Sequence, residues 1–88
     1  MSIQTQIKFK DFIKVIEILA NRKFADCKII PKSGSARRIE LFTNRGDSQP
    51  AKMWVVHEDQ YVYSDDLKKA LANLEITKET FLKELKNL

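Results

Sequence analysis

The chain reads as an α+β domain of order α-β-β-β-α with a further short helix, its three strands forming an antiparallel sheet with helices packed on one face. Two observations predict this. Apolar residues recur at steps of three and four near both ends of the chain, and alternate or run continuously in its middle. Polar turn sequences, Lys32-Ser33-Gly34-Ser35 and the stretch from Thr43 to Ala51, separate the extended segments. Length supplies the bound: 88 residues make one domain, 1–88, with a single modest core and no deep cleft between lobes.

Residues 1–7 alternate loosely and fit either a frayed tail or a short edge strand. From Phe9 to Leu19, Phe9, Phe12, Ile13, Ile16, Leu19 and Ala20 mark one helical face, with Lys10, Asp11, Lys14 and Glu17 opposite. Asn21 is the expected stop, and Arg22 and Lys23 suit the carbonyl end of the helix. A strand is expected over 24–31, ended by Pro31. The next, over 36–43, follows the Gly-Ser turn and alternates, so Arg37, Ile39 and Leu41 share one face and Arg38, Glu40 and Phe42 the other. The third, 52–57, holds Met53-Trp54-Val55-Val56, the most hydrophobic run, and is expected to be central. Trp54 and Tyr61 are residue types that could stack on unpaired bases, although a Trp within this run is more often core. Tyr61-Val62-Tyr63 is a short extended piece. Ser64 reads as the N-cap of a helix that carries Asp65 and Asp66 in its first turn and buries Leu67, Ala70, Leu71 and Leu74. Thr77 reads as a second N-cap, before an apolar stripe of Phe81, Leu82 and Leu85, with Ile76 placed to staple onto Phe81.

Composition excludes several classes. With 43% hydrophobic and 32% charged residues the chain belongs with folded domains. No apolar run approaches the ~20 residues of a membrane span, and residues 1–7 lack the basic-then-apolar pattern of a secretory signal. Cys27 is the only cysteine, so no internal disulfide forms; a cytoplasmic location is expected. Cys27 and His57 are too few for a zinc set, and no phosphate loop or dinucleotide fingerprint is present, so no metal or cofactor is expected.

The charge is unevenly spread. Between Arg22 and Lys52 lie eight Lys/Arg against three Asp/Glu, a net +5, whereas the whole chain is +4. Such a basic middle suggests a polyanion, RNA first of all. The candidate phosphate ligands are Lys28, Lys32, Arg37, Arg38 and Lys52. Because Arg37 and Arg38 are adjacent in a strand, only one can lie on a given surface. His57, with an unperturbed pKa of about 6.5, is the candidate acid–base residue.

The order of elements and several short sequences resemble the HicA (YcfA-like) family, small toxins of bacterial toxin–antitoxin pairs. Phe9–Leu19 stands for the family's amphipathic helix and Phe24 for the Phe of its Gly-Phe, with Lys23 where the glycine would be. Gly34-Ser35 stands for Gly-Ser, and His57 falls near the strand-three histidine. The closing part, Leu67-Lys68-Lys69-Ala70-Leu71-Ala72-Asn73-Leu74 through Thr77-Lys78-Glu79-Thr80-Phe81-Leu82, stands for the Leu-rich helix and its short extension. The resemblance implies a double-stranded-RNA-binding-like fold, RNA as ligand and an antitoxin-like protein as partner. It departs at one telling place. The family's Gly-Ser-His, whose histidine is linked to RNA cleavage, reads Gly34-Ser35-Ala36, and alanine neither takes nor gives a proton. The segment between Phe24 and Gly34 is also longer than the family's.

The expectation is therefore a small, HicA-like RNA-binding domain without competent ribonuclease activity. Two alternatives stay open: a protein-interaction module of a toxin–antitoxin-like system, and a ribonuclease that uses His57. The sequence sets no oligomeric state.

Overall fold

The first helix forms because its apolar residues fall on one side. In the computed structural model, which describes residues 3–88, α1 spans Phe9–Lys23 and buries Phe9, Phe12, Val15, Ile16, Leu19 and Ala20. Val15 completes the stripe, and Ile13 sits at its margin. The helix passes Asn21, the expected stop, because its last turn is held from outside. The Lys23 ammonium donates to the Leu74 carbonyl at 2.6 Å, and Arg22 pairs with Glu84.

Ahead of α1 runs a strand, β1 (Gln4–Lys8), which settles the open reading of residues 4–7; Met1 and Ser2 lie outside the described residues. Its partner is β5 (Tyr61–Tyr63), antiparallel, with Gln4 opposite Tyr63 and Lys8 opposite Tyr61. Five residues oppose three, so the ladder is irregular. The Thr5 hydroxyl bridges it, donating to the Val62 carbonyl and accepting from the Ile7 N–H, both at 3.0 Å. This two-stranded sheet has no counterpart in the expected order.

The three expected strands are present: β2 (Asp26–Pro31), β3 (Ala36–Phe42) and β4 (Lys52–His57), antiparallel in the order β2-β3-β4. The central strand is β3, which corrects the expectation that 52–57 is central. Although β4 is the most hydrophobic run, two of its apolar side chains point to solvent, Met53 at 54% and Val55 at 36% exposure. The β2–β3 turn closes through the Lys32 N–H to the Ala36 carbonyl at 2.9 Å, with Gly34 at φ +61°, where a β-carbon is disfavoured.

β5 runs straight into α2 (Ser64–Leu74), because the Ser64 N–H bonds the Ile3 carbonyl at 2.8 Å and so continues the β1–β5 pairing to the start of the helix. The N-cap is Tyr63, with no side-chain cap bond; Ser64 is the first helical residue, not the cap. Thr77 does cap α3 (Lys78–Lys86), its hydroxyl accepting from the Thr80 N–H. Phe81 is fully buried and packs against Phe12 at 5.8 Å between ring centres, while Leu82 is exposed rather than part of the buried stripe.

One apolar cluster joins the layers. Phe12, Val15 and Ile16 of α1, Leu67, Ala70 and Leu74 of α2 and Phe81 of α3 meet Ile39, Leu41, Trp54 and Val56 of the sheet. Cys27 and Ile29 pack at its margin. No helix is long and apolar enough to cross a membrane among the described residues.

Candidate functional site

Residues directly opposite in an antiparallel sheet project to the same side. Register therefore divides the three strands into two faces. Ile29, Ile39 and Trp54 form one row of the inner face, and the other face is open. Its two central rows are Lys28, Glu40 and Met53, then Ile30, Arg38 and Val55. Asp26 and Phe42 lie beyond one end, and Ala36 with His57 beyond the other.

The charged side chains of this face lie close to one another, though the Arg38 Nε–H is buried without a hydrogen-bond acceptor among the described residues. Arg38 Nε lies 3.2 Å from Glu40 Oε2, and Glu40 itself is largely covered by its neighbours. The ammonium of Lys28 stands 5.0 Å from the centre of the Phe42 ring, a cation–π contact. With Asp26 and Glu40 against Lys28 and Arg38, and His57 neutral, the open face has no net charge. Between these groups Ile30, Met53 and Val55 supply apolar surface.

The five expected phosphate ligands do not share a surface. Lys28 and Arg38 are on the open face. Arg37 points to the other side and is occupied: its guanidinium donates to the carbonyls of Gly34 (3.0 Å) and Ala36 (2.9 Å) and lies 3.5 Å from Glu58. Lys52 stands opposite Leu41, four residues along β4 from Val56, the partner of Arg37. At ~3.3 Å per residue that separates the two by roughly 13 Å. Lys32 is in the β2–β3 turn. Of the eight cations in the basic segment, Arg22, Lys23, Lys28, Arg37 and Arg38 have structural partners. Lys32, Arg45 and Lys52 make no ion pair among the described residues and sit on different parts of the sheet's margin. Trp54, a residue type suited to base stacking, is buried.

His57 is half exposed at the end of the open face, where Ala36 is its direct cross-strand neighbour. The positions read from the sequence as the missing histidine and the surviving one are thus side by side, although they come from different strands. The partner that the sequence did not reveal is Asp66. Its carboxylate, 4% exposed, accepts the His57 backbone N–H at 2.9 Å and lies 3.5 Å from Nδ1. Asp66 was legible as a first-turn acid; its reach to β4 depends on where α2 lands. A ribonuclease also wants a second proton-transfer group and a cation beside the phosphate. Asp66 is sealed behind His57, and the one cation nearby on this face, Arg38, is engaged by Glu40.

Elsewhere, burial, with help from the Glu17 and Asp26 charges, pushes the Cys27 thiol up to about 11. This suits a packing residue and not a nucleophile. Tyr63 donates to Asp59 at 2.6 Å, which holds that carboxyl below its ordinary range and the phenol above its own. No group of three or more His, Cys, Asp or Glu is arranged to hold a metal ion among the described residues. No protein-family model, curated protein or solved structure matches this chain.

Proposed function

We propose that this chain is a protein-interaction domain whose working surface is the open face of β2-β3-β4. The observation that supports this most is the character of that face: exposed Met53 and Val55 beside half-buried Ile30, framed by charges that sum to zero. Adjacent exposed apolar side chains rimmed by polar groups support a protein contact more than a phosphate one. A surface for RNA would instead gather uncompensated cations along one track, because phosphate neutralisation supplies most of the affinity.

RNA binding has less support, since the basic segment is largely consumed in holding the fold together. Arg22 and Lys23 tie α1 to α3 and α2, and Arg37 braces its own turn. The resemblance to HicA toxins supplies one class of protein partner, an antitoxin-like chain.

The test is site-specific photocrosslinking in cells that make the protein, with a photoreactive residue at Met53 or Val55 and a control at Lys69 on the exposed side of α2. Protein adducts at 53 and 55 and not at 69 are expected. Adducts to RNA alone would overturn the reading. So would binding of the pure chain to RNA with a steep salt dependence that is lost in Lys28→Ala/Arg38→Ala.

A further inference from the structure

The open face is complementary to itself. We infer that its partner is a second copy of this chain, the two sheets stacked face to face; this rests on the protein-interaction reading above.

The argument is one of register. The two central rows are Lys28-Glu40-Met53 and Ile30-Arg38-Val55, taken in the same strand order, β2, β3, β4. A two-fold axis running across the strands, between these rows, lays each strand antiparallel on its own copy and puts one row over the other. Glu40 then faces the partner's Arg38, and Arg38 the partner's Glu40. Met53 faces the partner's Val55, and Val55 the partner's Met53. Lys28 lies over the partner's Ile30, where its methylene stem covers apolar surface while its ammonium stays with Phe42. Each central acid meets a base and each exposed apolar residue of β4 meets another, as an isologous contact requires.

An axis along the strands is excluded by the same residues, for it would set Arg38 on the partner's Arg38 and Glu40 on the partner's Glu40. Stacked sheets lie about 10 Å apart and cross at about 30°, so the match holds best at the two central rows and fades toward Asp26 and His57. Arg38 has donors to give. Its Nε lies 3.2 Å from Glu40 Oε2 without making a hydrogen bond, and no hydrogen bond is formed by the Arg38 side chain among the described residues. A carboxylate has about four acceptor sites, so Glu40 can hold both arginines.

The face is small. Three strands about 4.8 Å apart and two central rows within a length of roughly 20 Å fall below the area of a standard interface. The contact belongs with weak, transient ones, and the dimer is expected as a concentration-dependent mass.

Charge reversal tests the register. Arg38→Glu sets a carboxylate against the partner's Glu40, and Glu40→Arg sets a guanidinium against the partner's Arg38, so each variant alone should sediment as a monomer. Mixed in equal amounts the two should associate again, because every facing pair is then opposite in sign. Arg38→Glu/Glu40→Arg keeps the pair within one chain and should dimerise like the unmodified protein, which also controls for folding by circular dichroism. An unmodified chain that is monomeric up to several hundred micromolar overturns the inference, as does a dimer that neither single reversal weakens. A monomeric chain that crosslinks through Val55 to a different protein overturns the second copy and leaves the protein-interaction reading intact. Crosslinks to RNA alone sink both.

Discussion

The two faces of β2-β3-β4 are made by the same strands and have opposite fates. On β3, Ile39 and Leu41 are completely buried in the core, whereas on the other side Ala36 and Arg38 remain partly open and Glu40 and Phe42 are covered. On β4, Trp54 and Val56 are inside while Met53 and Val55 face water. The inner face is apolar through the middle of all three strands, with Arg37 and Lys52 only at its ends, and is where the chain gains its stability. The outer face mixes a paired charge with apolar side chains, which is more than solubility needs. A sheet of this size is held by one face alone, so the composition of the other is free to be set by what it meets.

Four measurements press on that contrast. The largest effect is expected inside. Leu41→Ala opens a cavity under α1 and α2 and should lower the free energy of unfolding in urea by about 2–5 kcal/mol. The second concerns Cys27, at the edge of the inner layer. Its thiol is raised from 9.0 to about 11, so at pH 8 native protein should alkylate about 100-fold more slowly than urea-unfolded protein. The sign for stability follows. The unfolded thiol ionises first, so stability falls as pH climbs past 9, and Cys27→Ala should flatten that fall. Third is Asp66→Ala, which leaves the part-buried N–H of His57 without its acceptor and should cost about 1 kcal/mol by thermal unfolding. The smallest effect is expected on the open face. Met53→Gln, measured at concentrations too low for association, should change stability by less than about 0.5 kcal/mol. A loss there as large as that from Leu41→Ala would mean that the outer face is part of the folding core.

What was legible in the sequence was whatever a local pattern encodes. The three strands, the Gly34 turn and the Thr77 cap follow from alternation, a left-handed φ and a hydroxyl at the right offset. The opposed directions of Arg37 and Arg38 follow from period two alone. What failed depends on distant chain. Whether residues 4–8 form a strand is decided by Tyr61–Tyr63, and whether α1 passes Asn21 by Leu74 and Glu84. The basic segment shows the limit most clearly. Most of its charges are drawn to different partners, so a cluster on the page becomes a set of separate braces in space. His57 was visible as the lone histidine; that Ala36 and Asp66 flank it was not.

The β1–β5 pairing also carries a consequence in time. Gln4 pairs with Tyr63, fifty-nine residues later in the chain. During synthesis at about 5–20 residues per second, β1 waits roughly 3–12 s before its partner has even been made. In that interval α1, whose hydrogen bonds are all local, can form without β5. A strand made early is thus completed late, and until β5 and the start of α2 arrive the carbonyl of Ile3 lacks the Ser64 N–H that it accepts in the native fold.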